Sequence, residues 1–153
     1  MLPTTEWLAD SAATEALGAR LAETLAPPAV VFLQGDLGTG KTTLVRGLLR
    51  ALGYQGAVRS PTYTLLESYP LGSGLVVHHL DLYRLCDPEE LEWIGLRELL
   101  TAQAIVLIEW PQRGAGMLPA ADLAIQLALE GCGRRATLTW PLGAEAGQGA
   151  AQT

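Results

Sequence analysis

Lysine and asparagine are nearly or wholly missing from this sequence. Lysine occurs once among 153 residues, at Lys41, nine arginines carry the remaining positive charge, and asparagine does not occur. A planar guanidinium does not replace a compact ammonium inside a closed backbone loop, so the single lysine marks a position where an ammonium is needed. The Asn-Lys-x-Asp element typical of guanine-selective GTP switch proteins is excluded, because it needs an asparagine and a second lysine.

Long hydrophobic runs and cysteine motifs are missing too. The longest apolar runs, such as residues 104–108, are far too short to cross a bilayer. The first residues have neither a basic segment nor an uninterrupted apolar segment, so they do not resemble a signal peptide. Cys86 and Cys132 lack metal-ligand spacing, and we expect them to be buried free thiols in a cytoplasmic protein.

Basic charge is scarce as well. The formal net charge is −6 at pH 7, and the densest basic cluster is the pair Arg134 and Arg135. A protein that binds nucleic acid unaided usually carries a basic patch, because neutralising phosphates drives that affinity. If this protein serves a nucleic-acid pathway, we therefore expect it to act through another protein.

The pattern of apolar residues predicts helices alternating with strands. Helical spacing predicts three helices, over residues 10–25, 41–52 and 87–100. β-branched or alternating runs predict six strands, over residues 29–34, 63–70, 75–83, 104–110, 122–130 and 134–140. The second and third of these strands are joined by a short glycine-containing turn, which predicts a hairpin. The sheet is therefore expected to be mixed, not wholly parallel.

Composition and end signals predict one folded unit. Hydrophobic residues make up 49% of the chain and charged residues 17%, as in a globular protein. Asp10 or Ser11 can cap the first helix, and Asp87 begins a capping-box pattern before the third. We predict a single domain over residues 1–141 and a disordered Gly/Ala-rich tail over residues 142–153.

A glycine-rich loop after the first predicted strand carries the most specific motif. Gly35, Gly40, Lys41 and Thr42 satisfy the pattern G-x-x-x-x-G-K-[ST], with a strand before it and an amphipathic helix after it. Glycines let the backbone curl so that successive N–H groups point at a phosphate, and the helix start adds its positive dipole end. The candidate nucleotide-binding residues of this loop are Leu37, Gly38, Thr39, Gly40, Lys41, Thr42 and Thr43.

Three side chains of the motif suit different parts of a nucleotide. Lys41 can bring its ammonium to the β- and γ-phosphates, and Thr42 can offer its hydroxyl to Mg²⁺. Thr43 is placed to reach the α-phosphate. The loop therefore predicts a bound nucleoside phosphate with a magnesium ion.

Two carboxylates are candidates for the metal and the attacking water. Glu109 ends a buried strand, the usual place of a Walker-B acid, although a solvated strand-end glutamate is the alternative. Asp81 lies in an alternating strand and either faces the metal or pairs with Arg84. We take Lys41, Asp81 and Glu109 as catalytic candidates, and Thr42 with both carboxylates as metal ligands. His79 is at least as well explained as a core or hairpin histidine.

A second loop and the tryptophans leave alternatives open. Ser60 and Thr62 flank a proline that would present both hydroxyls, which is typical either of a switch that senses the γ-phosphate or of an ordinary turn. Trp7 and Trp93 are expected to be core or partly buried residues. Trp110 could pack over a nucleotide or mark a partner surface, but its position favours the core.

The chain resembles the TsaE family, small bacterial ATPases of tRNA threonylcarbamoyladenosine biosynthesis, in five ordered motifs: GDLGTGKTTL, SPTYTL, HLDLYRL, DPEELEWIGL and IEWPQRG. The likeness runs from the first helix to about residue 140. It implies an α/β P-loop NTPase fold of three layers, with a mixed central sheet flanked by helices. It also implies that ATP and Mg²⁺ bind, that ATP is hydrolysed slowly, and that TsaD and TsaB proteins are partners in modifying adenosine 37 of ANN-decoding tRNAs.

The resemblance also assigns residues. Lys41 and Thr42 match the family's phosphate and Mg²⁺ ligands, while Glu109 and Asp81 match its acidic positions. Ser60 and Thr62 match its switch-like loop. The residues at the places of the family's adenine and ribose contacts are Asp10, Ser11 and Arg134.

A P-loop small-molecule kinase is the alternative from another class of protein. Such kinases normally carry an arginine-rich lid that closes over the phosphates. The arginines of this chain are scattered along its length, which favours hydrolysis over transfer to a metabolite.

Overall fold

A computed structural model describes residues 3–141 of the chain. The predicted tail over residues 142–153 lies outside the described residues. Within them, seven strands form one sheet: β1 Thr4–Leu8, β2 Ala29–Gln34, β3 Leu66–Pro70, β4 Val76–Asp81, β5 Ala104–Glu109, β6 Leu123–Glu130 and β7 Gly133–Thr139.

The sheet combines a parallel centre with antiparallel sides. Its strand order is β1-β7-β6-β2-β5-β4-β3. The neighbours of β2 (β6 and β5) run parallel to it, and β4 runs parallel to β5. The β3–β4 hairpin and the β1–β7–β6 side are antiparallel, so the predicted mixed sheet is confirmed.

Helices cover both faces of the sheet. The helices are α1 Ser11–Thr24, α2 Lys41–Ala51, α3 Glu90–Trp93 and α4 Leu96–Leu99, with a 3₁₀ helix over Pro111–Gly114. Alternation along β5 sends Ile105 and Leu107 into the core beneath α1 and α2, and Val106 and Ile108 into the core beneath α3 and α4. The three-layer α/β arrangement predicted from the sequence is therefore confirmed.

The first two helices are held against each other by two glycines. A Cβ atom at Gly47 would overlap the carbonyl oxygen of Glu15, and one at Gly18 would overlap the carbonyl oxygen of Leu44. The backbones of α1 and α2 therefore touch directly. This close approach sets the position of α2, the helix that follows the glycine loop.

The predicted helix over residues 87–100 is wrong as a single helix. The capping-box contact forms, because Glu90 Oε2 accepts a hydrogen bond of 2.9 Å from Asp87 N. The segment then breaks at Gly95, whose φ of 77° lies in the left-handed region, and α3 and α4 stand on either side of it. The predicted contact is therefore present, but α3 begins only at Glu90, after a turn over residues 88–89, and Gly95 separates it from α4.

Several other expectations need correction. The strand predicted over residues 63–70 begins only at Leu66, because the residues before it form turns. Strand β1, which pairs with β7, was not predicted. Cys86 and Cys132 are free but exposed, not buried. Trp93 is 89% exposed and Trp7 is 47% exposed, contrary to the expectation of core or partly buried residues.

Among residues 3–141 the structure contains no helix that is both long enough and apolar enough to span a bilayer.

We predict that Gly47→Ala destabilises the fold. Replacing a helical glycine by alanine ordinarily stabilises a protein by about 0.5–1 kcal/mol. Here the added methyl group meets the Glu15 carbonyl across the α1–α2 contact, so we expect a loss of about 1–3 kcal/mol. Urea unfolding followed by circular dichroism measures the change.

Gly72→Ala is the matched control for this substitution. A Cβ atom at Gly72 would meet nothing within 4 Å, so the same chemical change adds a methyl group in open space. Its unfolding midpoint should stay near that of the original chain. Equal behaviour of the two variants would contradict the close contact between the helices.

Candidate functional site

The candidate site lies where three parallel strands end. The glycine loop follows β2, Asp81 is the last residue of β4, and Glu109 is the last residue of β5. Because β2, β5 and β4 are parallel neighbours, their carboxyl ends meet at one edge of the sheet. Asp81 lies directly opposite Glu109 in the β4–β5 register. Topology alone thus places both carboxylates beside the loop.

The glycine loop adopts the curled backbone that the sequence predicted. Gly38 and Gly40 have φ values of 85° and 104°, both in the left-handed region. Thr39 closes the turn, since its hydroxyl donates to the Asp36 carbonyl oxygen at 2.8 Å. Gly40 precedes α2, and within residues 3–141 no side chain caps that helix start. The first N–H groups of α2 are therefore available to an anion.

The ammonium of Lys41 is held between the loop and the sheet. Its Nζ donates to the Gly35 carbonyl oxygen and lies 3.1 Å from Glu109 Oε1. The side chain is only 10% exposed. The single lysine of the chain thus sits inside a closed backbone loop, where the fork of an arginine does not fit.

Glu109 receives a second partner that the sequence did not reveal. His79 Nε2 lies 2.6 Å from Glu109 Oε2, so the two carboxylate oxygens serve Lys41 and His79 separately. Burial by itself raises the pKa of Glu109, but the hydrogen bond and charge of His79 and the charge of Lys41 outweigh it and hold the pKa below its ordinary value. The group is therefore a carboxylate at neutral pH.

Asp81 faces the cleft and not Arg84. The Asp81 side chain is buried, and its Oδ1 accepts a hydrogen bond of 2.9 Å from Tyr83 N. Arg84 instead donates to the Thr62 carbonyl oxygen at 3.3 Å and stacks over the Tyr63 ring at 4.7 Å. In the part of the chain that is described, no ion pair joins Asp81 to Arg84, so that alternative is wrong.

The loop with Ser60 and Thr62 forms one rim of the cleft. The two hydroxyl oxygens are 2.7 Å apart, and both side chains line the cleft. The loop is fixed at its start, because Tyr69 Oη accepts from Arg59 N at 3.0 Å and donates to Arg59 O at 3.1 Å. At its end, Asp81 N donates to the Leu65 carbonyl oxygen at 3.0 Å.

The cleft has a volume of about 710 Å³, within the range of sites for small ligands. It brings together most of the residues predicted for the site: Ser11, Leu37, Gly38, Gly40, Lys41, Thr42, Thr43, Ser60, Thr62, Asp81, Glu109 and Arg134. The Arg134 guanidinium packs over Gly40, where a Cβ atom would overlap Arg134 Nη1. Because the end of a flexible side chain can move, glycine is needed here mainly for its φ of 104°.

Two predicted residues lie elsewhere. The Asp10 carboxylate is engaged as the N-cap of α1, accepting from Ala13 N at 2.9 Å, and only its neighbour Ser11 lines the cleft. The Thr39 side chain is buried in the loop, where it bonds to Asp36. Any contact of these two residues with a ligand remains a prediction.

Trp110 lines the cleft and also packs against the core beneath α3 and α4, so the core position favoured from the sequence is only partly correct. The residue is half-buried, has a φ of 55°, and lines the cleft. Its ring lies 5.0 Å from that of Tyr83, and Lys41 Nζ lies 5.9 Å from its ring centroid. The left-handed backbone turns this ring out of the strand direction that Glu109 follows.

The oxygen donors of the cleft suit Mg²⁺. Thr42, Asp81 and Glu109 offer one hydroxyl and two carboxylates, which are the hard ligands that this ion prefers. Residues 3–141 contain no group of three or more His, Cys, Asp or Glu side chains that could hold a metal alone. A site completed by phosphate oxygens and water fits this donor set, because Mg²⁺ is usually held by one or two carboxylates together with substrate phosphates.

The fold and the cleft define a P-loop nucleotide-binding protein: a buried strand, a curled glycine loop, an enclosed lysine and an uncapped helix start, with acids on the neighbouring strands. Residues 8–136 match the family model described as "Threonylcarbamoyl adenosine biosynthesis protein TsaE". The chain belongs to the TsaE family, and the resemblance seen in the sequence is confirmed.

Individual relatives agree with the family model. The chain is similar to "tRNA threonylcarbamoyladenosine biosynthesis protein TsaE" of Haemophilus influenzae, with 53% identity over 98 residues, 64% of this chain and 61% of that protein. The Bacillus subtilis protein of the same name is 37% identical over 118 residues, 77% of this chain and 73% of that protein. The aligned part of this chain thus spans less than two thirds of the Haemophilus influenzae protein.

A solved structure supports the fold. The crystal structure of Bacillus subtilis YdiB superposes with a TM-score of 0.75 at 28% identity, over 90% of this chain and 85% of that one. The P-loop NTPase fold predicted from the sequence is therefore confirmed.

We predict that Lys41→Gln weakens nucleotide binding about tenfold to hundredfold. A hydrogen bond to a charged group contributes about 1.5–3 kcal/mol, and the Lys41 ammonium is held inside the loop by the Gly35 carbonyl oxygen. Displacement of a fluorescent nucleotide measures the affinity, and urea unfolding separates a binding defect from a folding defect.

Arg46→Gln is the control for the lost charge. Arg46 lies on the same helix, but its guanidinium pairs with Glu15 at 3.6 Å, outside the cleft. Its nucleotide affinity should match that of the original chain. A similar loss in both variants would mean that only the net charge of the helix matters.

Proposed function

We propose that this protein is a Mg²⁺-dependent ATPase required for threonylcarbamoylation of adenosine 37 in ANN-decoding tRNAs. The family supports the pathway, since relatives carry the name "tRNA threonylcarbamoyladenosine biosynthesis protein TsaE". One observation carries the chemistry: Lys41, Asp81 and Glu109 converge on one cleft beside the uncapped start of α2. ATP is the preferred nucleotide because the sequence lacks the asparagine of a guanine-selective element.

The proposed reaction is in-line attack of water on the γ-phosphate. Charge spreads over the phosphate oxygens in the transition state, so fixed positive groups accelerate the step. Lys41 and the first N–H groups of α2 supply such groups. When bound, Mg²⁺ would neutralise further phosphate charge. Thr42 would hold the ion with one of the two carboxylates, and the other carboxylate would orient the water.

Arg134 and the loop with Ser60 and Thr62 complete the proposed site. The Arg134 guanidinium lies over Gly40 on the side of the cleft formed by β7, opposite the carboxylates. We assign it to the nucleoside end of ATP together with Ser11. Ser60 and Thr62 lie on the rim beside Asp81, and we assign them to sensing the γ-phosphate.

We predict that Thr42→Ala, Asp81→Asn and Glu109→Gln each lower ATP turnover by about tenfold or more. Each variant removes a group that helps to stabilise the charge of the transition state or to orient the attacking water. Turnover is measured over a range of Mg²⁺ concentrations. The carboxylate that holds the metal is the one whose variant regains turnover at high Mg²⁺, whereas loss of the water-orienting group persists at saturation.

Glu98→Gln is the control, because it removes an exposed carboxylate on α4, away from the cleft. It should retain full turnover. Turnover like that of the original chain in all three cleft variants would refute the proposed site.

The partners are proposed to be TsaD and TsaB proteins, with tRNA reached only through them. The net charge of −6 opposes direct binding to phosphate backbones. The expected result is co-purification with a TsaD–TsaB pair that depends on the nucleotide present. The protein alone should bind tRNA weakly at physiological salt.

Reconstitution of adenosine 37 modification with and without this chain tests the pathway directly. Modification should require this chain together with hydrolysable ATP. Sub-micromolar tRNA binding by the isolated protein, or full modification without it, would contradict the proposal.

A further inference from the structure

His79 lies deeper in the structure than the other polar residues around the cleft. Its side chain is 0% exposed, and Val77 and Leu80 beside it on β4 are equally buried. Nε2 contacts Glu109 Oε2 at 2.6 Å, but Nδ1 has no hydrogen-bond partner among residues 3–141. Burying a polar atom without a partner costs free energy, so stability alone does not favour a histidine here.

His79 reaches Glu109 diagonally across two neighbouring strands. In the parallel register of β4 and β5, His79 stands opposite Leu107, and Asp81 stands opposite Glu109. His79 and Asp81 are two positions apart, so their side chains leave the same face of β4. The imidazole therefore lies directly behind the acidic pair, on the side away from solvent.

The contact fixes an orientation that the other partner of Glu109 leaves free. The terminal torsion of a glutamate is broad, so a carboxylate with a single partner can turn about it. Lys41 contacts Oε1 through a long flexible side chain, which sets the distance between Nζ and Oε1 but not the plane of the carboxylate. The His79 ring is short and is attached to a fully buried part of a strand, so its Nε2 sets the position of Oε2.

We propose that His79 is a positioning residue for ATP hydrolysis, which holds the Glu109 carboxylate so that Oε1 faces Lys41 and the cleft. The inference rests on the proposed ATPase function. Because His79 lies behind Glu109 and does not line the cleft, its loss should affect turnover and leave nucleotide affinity nearly unchanged.

Three substitutions distinguish positioning from simple core packing. His79→Gln keeps an N–H donor close to the position of the imidazole Nε2, whereas His79→Asn carries its amide too far back to reach Glu109. His79→Leu removes the donor and fills the space with apolar atoms. ATP turnover, nucleotide affinity and urea unfolding are measured for each, with partner proteins present where turnover requires them.

We expect His79→Gln to keep turnover within a few-fold of the original chain. His79→Asn and His79→Leu should lose about tenfold to hundredfold, as when the partner that orients a functional group is removed. Nucleotide affinity should change by no more than about threefold in any of them, because uniform binding is untouched. In the background of Glu109→Gln, the further change His79→Leu should have little effect, since the two residues act as a unit.

His78→Gln is the matched control. His78 is adjacent in sequence but faces the other side of β4, where Nδ1 lies 2.7 Å from Ser68 Oγ. Its variant should turn over ATP as the original chain does. An equal loss in His78→Gln would mean that any change in β4 disturbs the site.

The NMR spectrum of the imidazole rings tests the contact between His79 and Glu109 without a measurement of ATP turnover. The chain has two histidines, so their ¹H–¹⁵N ring resonances are readily assigned. Glu109→Gln should shift the resonances of His79 far more than those of His78. Unchanged His79 resonances would overturn the proposal, as would a His79→Gln variant that is as impaired as His79→Leu.

Failure of the proposed function gives a different pattern. If the original chain hydrolyses no ATP, alone or with partners, the ATPase assignment fails whatever the variants do. In that case the proposed role in hydrolysis is also overturned, and the spectrum reports only whether His79 holds Glu109.

Discussion

The ion pair between Lys41 and Glu109 joins the glycine loop to the central sheet, and the rest of the site is arranged around it. Withdrawing two charges from water is costly, and their attraction offsets this only when further hydrogen bonds satisfy them. Here the Lys41 ammonium also donates a hydrogen bond to the Gly35 carbonyl oxygen, and the Glu109 carboxylate also contacts the His79 imidazole. The ion pair thus depends on the glycine loop after β2, on Glu109 of β5 and on His79 of β4. These meet because β2, β5 and β4 are parallel neighbours.

Backbone geometry around this pair depends on two glycines. Gly40 adopts a φ of 104° beside the Arg134 guanidinium, and Gly47 allows α2 to lie against α1. The first contact brings a residue of the antiparallel side of the sheet to the glycine loop, and the second fixes the helix that begins with Lys41. A site that draws on both halves of the sheet therefore rests on two positions that lack a side chain.

Structural features that depend on a short stretch of sequence could be predicted, and features that depend on pairing between strands far apart in the sequence could not. The loop around Lys41 and the acid at the end of β5 are local patterns with local causes. The contact of His79 with Glu109 depends on the register of β4 against β5, although its spacing of two from Asp81 was a usable signal. Strand β1 forms only by pairing with β7 at the other end of the chain, and Gly95 ended a helix that its start signal favoured.

The loop with Ser60 and Thr62 has a mechanical consequence. Tyr69 holds it at Arg59, Arg84 holds it at Thr62, and Asp81 holds it at Leu65, so hydrogen bonds to its backbone fix the loop at both ends and in its middle. A loop held at three points has fewer accessible backbone conformations than a free loop of the same length. Ser60 and Thr62 therefore present their hydroxyls from a fixed rim, and little conformational entropy is left for a ligand to remove when it binds there.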